Sequence, residues 1–253
     1  MESISFDRAA EYYDRTRSLS DDANRAMADL LAKELAGHRL ALEIGVGTGR
    51  IALPLVERGL GVVGVDLSQK MLAMLRTKTS AVPAVAGDAT RLPFGDDVFD
   101  AGIACHVLHL IPDWPAAVHE LARVVRPGGR LLINLGGWDQ GVWQEIEKRF
   151  VTEAGISNPR PGARDAGPVD EVLASLGATA RVLPEITDHR RLTYGELIDR
   201  IESGMYSFTW SANEDARRRG AAAVREWLLA EHGALDVEHD KLWIVSWRAY
   251  DLP

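Results

Sequence analysis

Acids and glycines at regular spacing between residues 43 and 66 are the part of this sequence best suited to bind a ligand. Glu43 is followed by Gly45, Gly47 and Gly49, and Asp66 stands at the end of the next apolar run. A backbone of alternating glycines turns tightly and leaves space beside it, because no Cβ fills that space. A carboxylate such as that of Asp66 can accept hydrogen bonds from both hydroxyls of a ribose. These residues therefore predict a binding site for a nucleoside.

Strands and helices with clear sequence patterns position these residues. Residues 40–44 are a short apolar run that ends at a glycine, which is typical of a buried parallel strand. Residues 50–58 have apolar side chains at helical spacing, with Gly59 as a C-cap, and residues 61–65 form the next predicted strand. The order strand, glycine loop, helix, strand and acid is typical of a unit that binds nucleotides at the carboxyl ends of a parallel sheet.

The glycine spacing indicates which cofactor this unit binds. Dinucleotide-binding loops have the pattern G-x-G-x-x-G, whereas here Gly45, Gly47 and Gly49 alternate with single residues, and Glu43 lies two positions ahead. This pattern resembles motif I of the class I S-adenosylmethionine-dependent methyltransferases. The resemblance implies S-adenosyl-L-methionine as the cofactor. It also implies that the loop lies near the methionine part and that Asp66 holds both ribose hydroxyls.

The stretch after this acid resembles the adenine-binding part of the same family. Leu67 and Met71 lie at the start of the next predicted helix and are placed to sandwich a flat ring, although Met71 fits ordinary core packing equally well. A third predicted strand ends at Asp88. The resemblance implies that Asp88 binds the adenine amino group and that the backbone amide of Ala89 meets a ring nitrogen. A carboxylate suits an amino group because it accepts hydrogen bonds and does not donate them.

Two histidines follow the fourth predicted strand, residues 99–105. Ligands of doubly wound sheets bind outside the carboxyl ends of the strands, so we expect Ala104 and Cys105 to face the cofactor. Imidazole suits proton transfer near neutral pH, which makes His106 and His109 candidate general bases. Two alternatives stay open: His109 only holds its loop, or neither histidine is a base because the acceptor needs none.

The N-terminal segment resembles one group within the family. Tyr13, Asp14 and Arg17 match the Y-D-x-x-R segment of the ubiquinone/menaquinone-biosynthesis methyltransferases, the type 11 group, and the motifs over residues 12–135 resemble that group as a whole. There the segment closes over the cofactor as a lid. The resemblance implies that Tyr13 covers S-adenosylmethionine and that Arg17 lies near its carboxylate. The alternative is that the tyrosines only pin an N-terminal helix to the core.

Beyond residue 136 the resemblance thins, and six of the seven tryptophans lie there. Residues 179–186 and 241–250 alternate in polarity, and we expect them to be the sixth and seventh strands, the last antiparallel as in the family. Trp138, Tyr206 and Trp210 are candidates to line an apolar, aromatic acceptor pocket. The alternative is that these aromatic side chains only pack the helices that follow the sixth strand.

The predicted fold is a single α/β domain over residues 1–253. It has a doubly wound, Rossmann-like, seven-stranded and mostly parallel sheet with an antiparallel last strand and a helical cap. We expect the core in residues 38–136, 168–190 and 240–253, and the cap in residues 1–36, 137–167 and 191–239. Helix caps are predicted at Asp21 or Asp22, Ser68, Asp113, Thr193, and Asn213 or Ser211.

Composition limits the other classes of function. The chain has 253 residues, a net charge of −8 and one cysteine, which excludes an intrachain disulfide and a cysteine-rich metal site. No third ligand accompanies His106 and His109, so we expect no metal. No apolar run reaches the length of a membrane helix, and the acidic, polar N-terminus is not typical of a signal peptide. We therefore expect a cytoplasmic protein without a nucleic-acid partner; the oligomeric state stays open.

The resemblance implies methyl transfer from S-adenosylmethionine to a small organic acceptor, by in-line displacement and mainly through positioning. We expect this acceptor to be partly apolar or aromatic. Two alternatives are a nucleic-acid or protein methyltransferase and a non-catalytic S-adenosylmethionine-binding scaffold. Enzymes that methylate nucleobase amino groups carry an N/D-P-P-Y/F motif after the fourth strand, where this chain has residues 104–107, Ala-Cys-His-Val. The negative charge also argues against an RNA substrate.

Overall fold

A computed structural model describes residues 3, 5–17, 19–135, 142–157 and 160–253, with only the backbone described at Arg17 and Lys241. The strands are β1 (Leu40–Ile44), β2 (Gly61–Asp66), β3 (Ala84–Ala86), β4 (Phe99–Cys105), β5 (Val125–Asn134), β6 (Thr179–Val182), β7 (Ile186–Thr193), β8 (Glu238–Val245) and β9 (Arg248–Asp251). The helices are α1 (Tyr13–Arg17), α2 (Asp21–Glu34), α3 (Ala52–Val56), α4 (Gln69–Lys78), α5 (Trp114–Val124), α6 (Val142–Ala154), α7 (Ala166–Ser175), α8 (Tyr194–Glu202) and α9 (Glu214–His232).

Seven strands form one sheet in the order β3-β2-β1-β4-β5-β9-β6. The first five strands are parallel, and β9 runs antiparallel to both of its neighbours. The predicted fold class is therefore confirmed. In this register Ile44 lies beside Val65 of β2 and Ala104 of β4. The carboxyl ends of β1, β2 and β4 consequently meet at one edge, the place where doubly wound sheets bind ligands.

Apolar cores cover both faces of this sheet. Because side chains of a strand alternate between faces, Ala41 belongs to a core with residues of α2 and α3, whereas Leu42 belongs to a core with residues of α5 and α7. Both residues are fully buried. Strands buried on both faces need nearly continuous apolar sequence, which explains the short apolar runs from which the strands are predicted.

The prediction of one strand over residues 241–250 is wrong. The stretch contains the end of β8, which pairs with β7 in a separate two-stranded sheet, and then β9 of the main sheet. Ser246 and Trp247 separate the two strands, and the side-chain amide of Asn134 donates to the Ser246 carbonyl over 2.6 Å. A period-two pattern does not distinguish one strand from two successive strands. The predicted sixth strand is also shorter than expected and ends at Val182.

Most of the predicted helix caps are confirmed. The exception is α2, where Ser20, rather than Asp21 or Asp22, accepts the hydrogen bond from the Ala23 amide. Both acids instead lie in the first turn of α2, where negative charge stabilises a helix N-terminus. The four other helices for which an N-cap is predicted, α4, α5, α8 and α9, begin at the expected residues, which are Ser68, Asp113, Thr193 and Asn213.

The chain groups into two compact units by its contacts. The sheet unit contains Met1–Gly136, Pro161–Ile186 and Val245–Pro253, and the insert unit contains Gly137–Arg160 and Thr187–Ile244. This grouping places residues 1–36 with the sheet rather than with residues 191–239. It also places a two-stranded sheet beside the helices predicted over residues 191–239. The division into a core and a cap stays a prediction.

The insert unit has its own aromatic core. Trp143 meets Tyr206 edge-on with ring centroids 4.9 Å apart, and Phe208 stacks on Tyr206 and meets Phe150 edge-on. Helix α9 brings Gly220 to the ring of Phe150, where a Cβ would lie 2.6 Å from the ring carbon Cδ2. The packing of α6 and α9 therefore depends on a residue without a side chain at this position.

Candidate functional site

The glycine loop between β1 and α3 needs its glycines for two different reasons. Gly45, Gly47 and Gly49 have φ values of +67°, +55° and +88°, in the left-handed region that side chains disfavour. At Gly45 a Cβ would also lie 2.6 Å from Cγ2 of Val107. At Gly47 the nearest side-chain atom to such a Cβ is Cε of Met71, at 3.5 Å. The backbone at Gly47 is therefore open toward the space in front of the loop.

The acid at the end of β2 lies against this loop. Asp66 accepts a hydrogen bond from the Gly47 amide through Oδ2 and another from the Ser68 amide through Oδ1, both over 2.8 Å. Burial raises the pKa of the Asp66 carboxyl, whereas the two amide hydrogen bonds act in the opposite direction. The structure thus brings together the two features, glycine loop and acid, that the sequence places 17 residues apart.

A pocket opens in front of the loop and the carboxyl ends of the strands. Most of the cofactor-binding residues predicted from the sequence line it: Tyr13, Gly45, Gly47, Asp66, Leu67, Met71, Asp88, Ala89 and Cys105. Asp88 itself is exposed, and its Oδ1 accepts hydrogen bonds from the amide and the hydroxyl of Thr90. His106, one of the two candidate bases, lines the same pocket.

Other predicted site residues lie behind the pocket surface. Gly49 packs against Leu75 and Leu53, and Ala104 is fully buried in β4. His109 is buried in the short 3-10 turn Leu108–Leu110. Their positions support the pocket from behind. A direct role for these three residues in binding or catalysis stays a prediction.

Glu43 is the most unusual of the residues behind the loop. Its side chain is 2% exposed, and burial raises the pKa of the carboxyl to about 8, although the charge of Arg50 opposes this shift. Among the described residues, none forms a hydrogen bond with Oε2 of Glu43. Arg50 in turn donates to Sγ of Cys105 over 3.3 Å, and burial raises the pKa of that thiol to about 11. Burial therefore favours the protonated form of both Glu43 and Cys105.

The candidate base at the end of β4 has a strained backbone. His106 has a φ of +53°, which is uncommon for a residue with a side chain. Its amide donates to the carbonyl of Asn134 at the end of β5 over 3.0 Å. Strained residues of this kind persist where the surroundings fix them, and they concentrate at functional sites. No pattern in the sequence predicts this conformation, since the only local cue is the position after a buried strand.

An N-terminal arm, residues 5–17, contributes side chains to the pocket. Phe6 and Tyr13 both line the pocket, and their rings meet edge-on at 5.9 Å. Asp7 accepts hydrogen bonds from the Ser68 hydroxyl over 2.6 Å and from the Lys70 amide over 3.2 Å. The hydrogen bond from Ser68 lowers the pKa of Asp7. No sequence pattern identifies Phe6 and Asp7 as site residues, and the hydrogen-bond partner of Asp7, Ser68, lies 61 positions away in the chain.

The residues predicted to bind the methyl acceptor belong to the insert unit or lie outside the described residues. Trp138 lies outside the described residues. Tyr206 is 9% exposed within the aromatic core of the insert unit, and Trp210 donates its indole N–H to the Gly204 carbonyl over 2.8 Å. These contacts are those of packing residues. A role in acceptor binding stays a prediction for all three.

The described part of the chain contains neither a cluster of metal-binding side chains nor a helix that could span a membrane. No group of three or more His, Cys, Asp and Glu side chains there has the arrangement of a metal site. No helix among the same residues combines the length and the apolar character that crossing a bilayer requires.

A parallel sheet with a glycine loop after β1 and an acid at the end of β2 defines the Rossmann-like class of proteins that bind a nucleoside-bearing cofactor. Comparison with known families refines this class. A family model described as a methyltransferase domain matches residues 42–133, the segment that carries the loop and both acids, Asp66 and Asp88.

Known proteins of similar sequence or structure are also methyltransferases by name. A methyltransferase of Mycobacterium tuberculosis, described as uncharacterized, is 35% identical over 92% of this chain and 88% of its own length. Demethylmenaquinone methyltransferase of the same organism is 42% identical over 51% of this chain and 55% of its own length, so this chain matches only about half of that relative. The fold matches a solved S-adenosylmethionine-dependent methyltransferase of Thermotoga maritima, a possible histamine N-methyltransferase, with a TM-score of 0.56, 19% identity and coverage of 97% and 98% of the two chains. This chain belongs to the class I S-adenosylmethionine-dependent methyltransferases.

Proposed function

We propose that this protein transfers the methyl group of S-adenosylmethionine to a small, partly apolar or aromatic acceptor. One observation carries the proposal: a single pocket joins the acid and glycine loop of a nucleoside site to an apolar wall and one imidazole. Gly47, Asp66, Val107, Ile111 and His106 all line it. A cofactor site and a site of reaction thus share one cavity.

The residues of the pocket fit the cofactor. The open backbone at Gly47 leaves room for the methionine part, because a Cβ there would have occupied that room. The Asp66 carboxylate would hold the ribose hydroxyls, and Asp88 would hold the adenine amino group.

The chemistry asked of the protein is modest. When bound, S-adenosylmethionine supplies a methyl group that is already activated by the positive sulfur. The chain must then exclude water and hold the acceptor in line with that methyl group, and such orientation is worth up to about 7–11 kcal/mol of the barrier. Phe6 and Tyr13 of the arm line the pocket, which suits exclusion of water.

The apolar wall supports a small organic acceptor. Val107, Leu110 and Ile111 contribute aliphatic surface, and Phe6 and Tyr13 contribute aromatic surface. Pockets of this composition bind small apolar ligands and use a few polar groups for orientation. The name of the relative demethylmenaquinone methyltransferase points to an acceptor with an apolar aromatic ring. The structural neighbour named above supports the fold alone.

His106 is the group we propose for removal of a proton from the acceptor. It is the histidine that lines the pocket, whereas His109 is buried in the adjacent turn. A hydroxyl acceptor must lose a proton around methyl transfer, and imidazole suits that task. An acceptor that is already ionised, or an amine in its free form, would need no base.

Turnover assays would test the proposal. Purified protein with S-adenosylmethionine would be offered three kinds of acceptor: small aromatic hydroxyl compounds and quinols, RNA, and unfolded protein. We expect S-adenosylhomocysteine to be released with the first group alone. The matched variant Asp66→Ala should abolish the signal at low cofactor concentration. Release with RNA or protein acceptors, or cofactor binding without any turnover, would contradict a small-molecule methyltransferase.

A further inference from the structure

A short strap, residues 161–163, runs behind the wall of the pocket. The wall is residues 106–111, and four of its members, His106, Val107, Leu110 and Ile111, line the pocket. The amide of Gly162 donates to the carbonyl of His109 over 3.0 Å. The next amide along the strap, that of Ala163, donates to the carbonyl of Leu108 over 3.1 Å. Strap and wall both belong to the sheet unit.

The strap approaches the wall so closely that only glycine fits at its centre. A Cβ on Gly162 would overlap the carbonyl oxygen of Leu108 and would lie 2.5 Å from that of Ile111. Both obstacles are backbone atoms, which cannot rotate away as a flexible side chain can. Ala163, the next residue, is 4% exposed. Any side chain at Gly162 must therefore displace the wall, the strap or both.

The wall needs outside support to keep its conformation. Part of it is one 3-10 turn, in which the Leu110 amide donates to the Val107 carbonyl over 2.9 Å and the Ile111 amide to the Leu108 carbonyl over 3.3 Å, and short turns of this kind are weak by themselves. At its start His106 has a φ of +53° and is fixed by the carbonyl of Asn134. The strap holds the middle of the wall through the two further backbone hydrogen bonds to Leu108 and His109.

We propose that Gly162 is a positioning residue for the cofactor pocket: the strap holds the wall in the conformation that receives the ligand. The affinity for the cofactor then depends on a residue that does not line the pocket. The inference rests on the proposed function, because it takes the pocket to be the cofactor site. Pro161 is the first residue of the sheet unit after the insert unit, so the strap is also the point where the chain returns from the insert.

Alanine substitutions at three glycines separate positioning from stability. Gly162→Ala should raise the Kd for S-adenosylhomocysteine by about tenfold or more, measured by calorimetry well below the melting temperature. Gly167→Ala is the matched control, since nothing lies within 4 Å of a Cβ at that glycine, and its Kd should stay within about twofold of the parent. Gly220→Ala places a clash against Phe150 in the insert unit; it should lower the melting temperature and leave the Kd unchanged.

Kinetics and hydrogen exchange distinguish a change in the pocket wall from a general loss of stability. In Gly162→Ala the KM for S-adenosylmethionine should rise more than kcat falls, and the amides of residues 106–111 should exchange faster than in Gly167→Ala. If Gly162→Ala does not fold, Pro161→Gly loosens the strap without adding atoms and should raise the Kd by about two- to fivefold.

Two results would overturn the inference. The first is a folded Gly162→Ala, or Pro161→Gly in its place, with the parental Kd and parental exchange of residues 106–111. The second is a Gly220→Ala that raises the Kd as much as Gly162→Ala does. Failure of the parent to bind S-adenosylhomocysteine would instead contradict the proposed function, and exchange at residues 106–111 would still show whether the strap supports the wall.

Discussion

The carboxylate of Asp14 accepts a hydrogen bond from the hydroxyl of Thr48, with 2.6 Å between Oδ1 and Oγ1. Thr48 lies between two glycines of the cofactor loop, and Asp14 lies in the N-terminal arm. The second oxygen of Asp14 accepts from Nζ of Lys78 over 2.7 Å, and the same ammonium group donates to the Thr48 carbonyl. The arm is therefore attached directly to the loop.

Substitution of Asp14 should release the arm. Asp14→Asn removes the charge that pairs with Lys78, and partly exposed pairs of this kind contribute about 0.2–1 kcal/mol. We expect faster proteolysis within the first twenty or so residues and about a two- to fivefold weaker cofactor affinity. The control is Asp22→Asn, because the side chain of Asp22 is also exposed and pairs with Arg25. Parental proteolysis in Asp14→Asn, with and without cofactor, would favour an arm that only packs on the core.

Removal of the acid at the end of β2 should weaken cofactor binding strongly. Asp66→Ala deletes the carboxylate that we propose as the acceptor for the ribose hydroxyls, and hydrogen bonds to a charged group contribute about 1.5–3 kcal/mol each. We expect a loss of cofactor affinity of at least about 2–3 kcal/mol by calorimetry, and no binding of NAD by the parent. The variant also leaves the amides of Gly47 and Ser68 without their acceptor, so its melting temperature must be recorded beside the Kd. An unchanged affinity would remove the basis of the cofactor assignment.

His106→Asn tests the proposed base without changing the backbone requirement. Asparagine tolerates the left-handed region better than most residues, and it is not a base. If His106 removes a proton, turnover should fall by roughly 10²–10⁴ while cofactor affinity stays near that of the parent. His106→Ala provides a second variant whose side chain is too small to donate or accept. Turnover of His106→Asn within a few-fold of the parent would leave positioning alone as the mechanism.

Burial of Glu43 should make stability depend on pH. Burial raises the pKa of Glu43 in the folded chain to about 8, above its ordinary value of 4.5, so between these two pH values the folded state binds up to one proton more than the unfolded state. Stability from this group is therefore fully present below about pH 4.5 and is lost as the pH rises toward 8. Glu43→Gln should remove roughly 3 kcal/mol of this decrease between pH 5 and pH 8. Denaturant unfolding at pH 5 and pH 8 measures the free energy of unfolding of parent and variant. An equal change in this free energy between the two pH values would show that Glu43 is ionised in the folded chain.

Tyr206 distinguishes core packing from acceptor binding. Its ring meets Trp143 and Phe208 in the insert unit, so Tyr206→Ala should cost about 3–5 kcal/mol of unfolding free energy. Tyr206→Phe keeps the ring and should cost little. Unfolding curves of both variants, together with the acceptor KM of Tyr206→Phe, provide the measurement. A raised KM in Tyr206→Phe at parental stability would support a role in acceptor binding.

The sequence predicts the features of this protein that are local in the chain. The glycines at 45, 47 and 49, the acid at 66 and the strands around them follow one another within a short segment, so residue type and spacing are sufficient to predict them. The mostly parallel sheet with an antiparallel last strand is predicted from the family resemblance, whereas the order of the strands is known only from the structure. The caps at Ser68 and Thr193 are predictable because a cap and the amide that it accepts lie three positions apart.

Features that depend on distant contacts could not be predicted. The hydrogen bonds between Asp7 and Ser68, between Asp14 and Thr48, and between Gly162 and His109 form only when the chain is folded. The positive φ of His106 likewise depends on its neighbours in space, because histidine adopts this region more often than most residues but still only in a small minority of cases. The break between β8 and β9 escaped prediction because alternation continues across it. What a single sequence does not reveal is thus how the arm is attached to the loop and how the strap is attached to the wall.

Strand β9 has a consequence for the order of events during synthesis. It lies between β5 and β6, and β6 has no other neighbour in the sheet. When residues 179–182 leave the ribosome, the residues beside which they will lie, 248–251, have not yet been made. The nascent chain must therefore carry β6 without a partner while the whole of Thr187–Ile244 is added. Pairing of this kind, between segments far apart in the chain, is slow to form and leaves edges exposed to other chains. Chaperone binding to ribosome-bound chains should therefore peak between residue 182 and the emergence of residue 251.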